Sequence, residues 1–341
     1  MSTIRTAGLL TVGTALVLST ASPSHAAAGA YVALGDSFSA GTGTKSKVDD
    51  CYRSQLGYPA LLAQKSGLNL DYQACSGATT AGVRDNQLGT LNSSTAFVTM
   101  TIGGNDVGFA DVLLECAKPG WLSDCEGAIA GGTAILNGSL PGRYDELFGT
   151  IKNKATNAKV TVGGYPHLFN GEDCNAATFF SPDEQSSLNS STSSLGELIK
   201  SKAGAYGFGY VDPVSTFKGH AVCDNPEWIN GLSNPVEESY HPNRAGNEAY
   251  ASLFGGAVGK AYRAPSDRSA SAEQASPAQQ VQAQANYVLS LKLTSPSNLA
   301  KAQTAGVKPS EVKRLNSALR SSDTATVQQA LDGLQALDRQ M

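Results

Sequence analysis

The chain has 341 residues, with 25 Lys and Arg against 29 Asp and Glu and a formal net charge of −4. So mild a balance argues against nucleic acid or an anionic membrane as an electrostatically driven partner. The length suits one large domain plus something small. In chain order, Arg5 supplies a short positive region. Residues 7–20 form an uncharged, mostly apolar run, and Ala26 and Ala28 stand as an A-x-A cleavage site. This is the pattern of a secretory signal peptide over residues 1–28, since the run is too short to span a bilayer. Removing it takes away one positive charge, Arg5, and moves the net charge from −4 to −5. No later segment is apolar for long enough to cross a membrane, so the mature chain is expected to be secreted and extracellular.

From Ala30 to about Tyr262, short β-rich runs alternate with helical patterns. The expected strands are AYVALG (30–35), NLDYQAC (69–75), AFVTMTIGG (96–104), KVTVGGYP (159–166) and FGYVDP (208–213). Helical stretches are expected between them, for example over 56–66, 143–157, 183–203 and 242–262. Strands thirty or more residues apart with helices between them predict a three-layer α/β/α fold around a mainly parallel five-stranded sheet. Functional groups in such sheets gather at the carboxyl ends of the strands. This unit is taken as 29–263.

Residues 264–279 are rich in Ala, Ser and Pro and read as a linker. Beyond it, 280–341 reads as a small helical C-terminal extension. Val312, Leu315 and Leu319 mark one helical face, and Val327, Leu331 and Leu334 another. Pro309-Ser310 and Asp323-Thr324 look like helix starts, and Gly306 like a stop. The extension contains no Cys, His or Trp, so a structural or spacer role is expected for it.

Six cysteines fit an exported chain: Cys51, Cys75, Cys116, Cys125, Cys174 and Cys223. None forms a C-x-x-C pair and no His clusters beside them, which argues against zinc. Six cysteines allow fifteen pairings, and the sequence does not choose among them. The sequential set closes only local loops and is favoured for that reason.

Four strand or loop ends carry the residues with chemistry, and each is weak alone. Ser37 follows the first strand in Gly35-Asp36-Ser37, where a serine is ordinarily a turn former or helix cap. Gly77, in Ala74-Cys75-Ser76-Gly77, ordinarily marks a tight turn. Asn105, after Gly103-Gly104, presents a side-chain amide, although Asn is a common turn residue. The neighbouring Asp106 is expected to cap a helix or brace a loop. His241 sits in Ser239-Tyr240-His241-Pro242, held extended by the proline that follows it at a helix entrance. Of the other three histidines, His25 leaves with the signal, His167 is the reserve candidate, and His220 lies in a loop near Cys223.

Together these segments, GDSFSAG, ACSGATT, TIGGND and HPN in this order, resemble the four motif blocks of the SGNH hydrolases, the GDSL lipases and esterases. The resemblance is nearest to the secreted actinomycete branch. It spans about residues 30–262 and does not reach 265–341. It implies Ser37 as nucleophile, His241 as general base, and an oxyanion hole from the Ser37 and Gly77 backbone N–H groups and the Asn105 amide. It also implies the sequential pairing, Cys51–Cys75, Cys116–Cys125 and Cys174–Cys223. One position departs from the family: three residues before the His, where Asp is usual, stands Glu238. The third member is therefore open between the Glu238 side chain and the Ser239 backbone carbonyl.

The chemistry expected of these residues is hydrolysis of an acyl ester through an acyl-enzyme, as in a lipase, esterase or phospholipase. It needs no metal or organic cofactor. Small-molecule or lipid esters are the expected substrates, and the chain is expected to act as a monomer. A carbohydrate acetyl esterase is the alternative within the family, poorly supported by only two tryptophans, Trp121 and Trp228. An inactive secreted binding module is the alternative of another class, and the intact Ser, Gly, Asn and His positions argue against it.

Overall fold

The computed structural model of the chain describes residues 30–257, 259 and 276–340. The stretch read as a signal peptide, and all of the linker before Ser276, lie outside the described residues. In chain order the first part contains β1 (Ala30–Ala33), α1 (Ser37–Ala40), α2 (Tyr58–Ser66), β2 (Asn69–Tyr72), α3 (Thr80–Asn86) and β3 (Thr95–Thr101). Next come α4 (Phe109–Cys116), α5 (Cys125–Asn137), α6 (Leu140–Lys154), β4 (Lys159–Gly163), α7 (Pro182–Ala205), β5 (Gly209–Val211) and α8 (Arg244–Ala257). Four further helices follow: α9 (Pro277–Ser290), α10 (Pro296–Thr304), α11 (Pro309–Ala318) and α12 (Thr324–Asp338).

All five expected strands form, and they pair in parallel in the order β2-β1-β3-β4-β5. The chain leaves β1 to build β2 on one side and then returns to build β3 on the other. The crevice at the carboxyl ends of β1 and β3 is therefore the topological switch point, where ligands bind in open α/β sheets. Central strands β1, β3 and β4 are almost wholly buried, as expected of parallel strands covered on both faces. Helices α2 and α8 pack together over one face, and α3, α5, α6 and α7 form the other layer. Between α2 and α8 the rings of Tyr58 and Phe254 stack at 4.4 Å, and Tyr58 also stacks on Tyr250. Such pairs add about 0.5–1.5 kcal/mol each beyond burial.

Helices α3, α4 and α5 go beyond the helical stretches read from the sequence. The α5 segment carries Gly127, Gly131 and Gly132, each weakening helix propensity by about 1 kcal/mol relative to Ala. Tertiary features hold it instead: the Asp124 side chain caps the Gly127 N–H, and Cys125 is bonded to Cys116 at the end of α4. Disulfides also join Cys51 to Cys75 and Cys174 to Cys223.

Helix α9 begins inside the stretch read as linker, because Ser276 and Gln279 form a capping box with Pro277 at the first helical position. Gly306, at φ +84°, follows the end of α10, and Asp323 caps α12 through the Thr326 N–H at 2.9 Å. The apolar faces of α9–α12 share one core with Trp121, Ala177 and Phe179 of the α/β body.

Candidate active site

Ser37 is the first residue of the one-turn helix α1, which follows β1 after the turn Leu34-Gly35-Asp36. The turn that delivers it depends on Gly35, at φ +118°, where a Cβ would sit 2.3 Å from the Thr101 carbonyl oxygen. The Gly35 N–H donates to Gln87 Oε1 at 2.8 Å, and Gln87 Nε2 donates back to the Gly35 carbonyl at 2.9 Å. Asp36 caps α1 by accepting the Phe38 N–H, and its Oδ1 also accepts the Thr101 hydroxyl at 2.7 Å. Its Oδ2 accepts from the Tyr165 hydroxyl, which itself accepts the Gly104 N–H at 3.1 Å. Asp36 thus ties together the ends of β1, β3 and β4. Burial lifts its carboxyl from 3.8 to about 6, against the lowering effect of those hydrogen bonds.

His241 lies against Ser37. Its Nε2 is 2.7 Å from Ser37 Oγ, and its Nδ1 is 2.7 Å from the carbonyl oxygen of Ser239. A carbonyl only accepts, so Nδ1 carries the proton and Nε2 presents its lone pair to the serine hydroxyl. Burial pushes the imidazole from 6.5 down to about 4, with the Ser239 carbonyl pulling the other way. The ring is therefore neutral, in the tautomer a general base needs.

The segment carrying His241 is held by Asn230. Asn230 exchanges backbone bonds with Tyr240 and His241, and its amide donates to the carbonyls of Gly43 at 2.8 Å and Glu238 at 3.0 Å. Gly43 makes this close approach feasible: at φ +99°, a Cβ there would lie 2.4 Å from the Pro242 carbonyl and 2.8 Å from His241 Cβ.

The two groups open for the third position are thereby separated. The Glu238 side chain is 3 % exposed and turned from the imidazole; its Oε2 accepts the backbone N–H groups of Gly43 and Lys45. The physical reason is that a buried carboxylate must find donors. The 43–45 loop offers two, whereas the Nδ1 proton of His241 is already taken by Ser239.

The Ser37 N–H, at the start of a helix, finds no acceptor among the described residues, as expected for a first-turn donor. Nor does the N–H of Gly77, an exposed residue at φ +81°. Gly77 is held between two ties to the site. The Cys75 N–H donates to the Gly35 carbonyl at 3.0 Å, and Asn105 Nδ2 donates to the Ala78 carbonyl at 2.9 Å. That single bond leaves Asn105 a second amide N–H, and Asn105 lines the cleft over Ser37 and His241. Gly77 is not among the residues that line it. Asp106 braces the same region by accepting the Thr80 N–H and hydroxyl at the start of α3, with Arg143 beside it.

His167 and His220 lie outside the site. His167 Nε2 is 2.8 Å from Ser193 Oγ, and His220 stacks on Trp228 at 3.6 Å. Three positioning residues escaped the sequence reading. Tyr165 follows a strand end, the signal that singled out the others; Gln87 and Asn230 carry no local signal, since their partners are 52 and 187 residues away.

The cleft holds about 330 Å³. Helix α4 contributes Phe109, Ala110, Leu113 and Leu114, and the 236–241 segment contributes Val236 and Tyr240. Among the described residues only three large apolar side chains are exposed, and two of them, Leu114 and Val236, line this cleft.

Against known proteins, residues 33–249 match the model of the GDSL-like Lipase/Acylhydrolase family. The chain is 38% identical over 240 residues to Lipase 1 of Streptomyces coelicolor, an alignment covering 68% of this chain and 88% of that one. The crystal structure of an extracellular lipase from Streptomyces rimosus matches at 37% identity and TM-score 0.64, over 67% of this chain and 100% of that one. That of a phospholipase A1 from Streptomyces albidoflavus NA297 matches at 37% and 0.63, over 67% and 99%. By its parallel sheet, its ordered motifs and these likenesses, the chain belongs to the GDSL-like lipase/acylhydrolase family and is a serine ester hydrolase of the SGNH kind.

Proposed function

We propose that the protein is a secreted lipase or phospholipase that cleaves acyl esters, with Ser37 as nucleophile and His241 as base. The observation that carries this reading is the Ser37–His241–Ser239 hydrogen-bonded chain inside an apolar cleft. His241 Nε2 takes the Ser37 proton as Oγ attacks the acyl carbon. Positive charge then develops on the imidazole and is met by the Ser239 carbonyl. The new oxyanion is held by the Ser37 and Gly77 N–H groups and the free amide N–H of Asn105, each such donor being worth about 2.7–4 kcal/mol. The imidazolium protonates the leaving alkoxide, the alcohol departs, and water reverses the sequence to release the acid.

An acyl chain fits a cleft whose exposed rim residues are Leu114 and Val236. Neither tryptophan lines the cleft: Trp121 packs against the C-terminal helices and Trp228 against His220. The aromatic rings of the lining are Phe38, Phe109, Tyr165 and Tyr240, and Phe38, Tyr165 and Tyr240 are buried rather than presented as an open platform for a sugar ring. Three disulfides support export, and the few exposed large apolar side chains support action as a monomer. The test is hydrolysis of chromogenic acyl esters by the purified chain. Turnover that Ser37→Ala abolishes is expected, and an undiminished Ser37→Ala rate would remove the proposal.

A further inference from the structure

The helices beyond Ser276 lie past the end of the family match at residue 249, yet they do not hang free. They grip the α/β body at two places, one behind each side of the cleft. Behind α4, Trp121 is buried in the core of the C-terminal helices, and the Gly120 N–H donates to Asp338 Oδ1 of α12 at 2.7 Å. Gly120 lies six residues past Leu114 and is tethered to α4 through the Cys116–Cys125 disulfide. On the other side, Leu232 packs on the same core four residues before Val236. Beside it, Gln335 Nε2 donates to the carbonyls of Asn175 at 2.8 Å and Thr178 at 3.0 Å. That loop continues to Phe180, whose ring meets Tyr240 of the cleft edge-on at 5.9 Å.

One helix, α12, therefore bonds both to the segment that follows Leu114 and to the loop packed against Tyr240. We propose that the C-terminal helices are an intramolecular bracket that fixes the spacing of the two cleft sides and so sets the enzyme's preference for acyl-chain length. The bracket makes no contact with the reacting atoms; Gln335, Asp338 and Trp121 are positioning residues that act through Leu114 and Val236. The four helices bury their apolar faces against one another and the body and expose no large apolar side chain among the described residues. This fits an inward role better than a docking module. The inference rests on the acyl-cleft reading above.

The test compares kcat/KM for p-nitrophenyl laurate and p-nitrophenyl butyrate in the full-length chain. Loss of bracket contacts in the Gln335→Ala/Asp338→Ala pair should lower the laurate-to-butyrate ratio about tenfold, the effect of releasing roughly two methylenes. The butyrate rate should stay within about twofold of wild type. Trp121→Ala should act in the same direction and further; if it does not fold, the polar pair decides by itself. Leu114→Ala and Val236→Ala calibrate the cleft, and Leu147→Ala, a core change in α6, controls for lost stability. A ratio that falls in the bracket and rim variants but not in Leu147→Ala supports the bracket. A ratio that moves only in the rim variants, or equally in Leu147→Ala, overturns the bracket and leaves the acyl cleft standing. No movement in any variant overturns both.

Discussion

The Glu238 carboxylate accepts the backbone N–H of Gly43, and the acid nearest in sequence to His241 thereby holds the loop that packs on the imidazole. A side chain one methylene longer than Asp reaches past the histidine to the donors behind it. The imidazole is left to the Ser239 carbonyl at 2.7 Å. Glu238→Gln keeps an acceptor oxygen for Gly43 and Lys45, so activity should stay within about tenfold of wild type. Stability should fall by about 1–2 kcal/mol as charge-assisted bonds become neutral ones. Neutralising a true triad acid costs about 10⁴ in kcat, so a thousand-fold loss in a folded Glu238→Gln variant would restore the carboxylate to the third position.

The acid limb of the pH profile follows from the buried imidazole. In the proposed mechanism neutral His241 is the active form, and burial lowers its folded-state value from 6.5 to about 4. The kcat/KM for a non-ionising ester should therefore hold level down to about pH 5 and fall below it. Stability has the same sign. Between 6.5 and 4 the unfolded chain binds the proton that folded His241 refuses, so this contribution is present above 6.5 and is lost as pH falls. An acid limb centred near 6.5 would show that the imidazole is solvated in the working enzyme.

Much of this arrangement was legible in the sequence because strand ends announce themselves. Buried β-rich runs marked the five strands, and the four motif blocks around Ser37, Gly77, Asn105 and His241, each weak alone, pointed to the site through their resemblance to one family. What stayed hidden depends on distant partners. Glu238 and Ser239 are neighbours, and only the packing of Gly43 against His241 decides which one serves the imidazole. Gln87 and Asn230 read as ordinary polar residues until the fold brings Gly35 and Gly43 to them. The glycines of α5 conceal a helix that a disulfide and a cap hold in place.

Gly77 depends on a covalent tie. Cys51 is bonded to Cys75, and the Cys51 carbonyl accepts the Ser76 N–H at 2.9 Å, one residue before Gly77. Replacing both cysteines by Ala should cost about 2–4 kcal/mol of stability and also lower kcat, since the Gly77 N–H loses its fixed position. Replacing Cys174 and Cys223 should lower the melting temperature with a smaller change in kcat. Kinetics and thermal melts of the two double variants separate the effects; equal kcat in both would detach Gly77 from the oxyanion.

In the proposed mechanism Asn105 is the other outlying donor, held by its bond to the Ala78 carbonyl. Asn105→Ala should lower kcat by about 10²–10³, the usual cost of one oxyanion-hole donor, while KM changes little. A raised KM with unchanged kcat would make Asn105 a substrate-binding residue instead.

The claim on which the rest depends is that Ser37 Oγ forms the covalent bond to the acyl group. An alkylphosphonate p-nitrophenyl ester places a stable tetrahedral phosphorus where the acyl carbon would react, so the nucleophile becomes permanently marked. Peptide mass spectrometry of the inactivated full-length chain should find one adduct, on Ser37. Labelling should be absent in Ser37→Ala and slowed by several orders of magnitude in His241→Ala. An adduct on any other residue, or stoichiometric labelling of Ser37→Ala at the wild-type rate, would contradict the account.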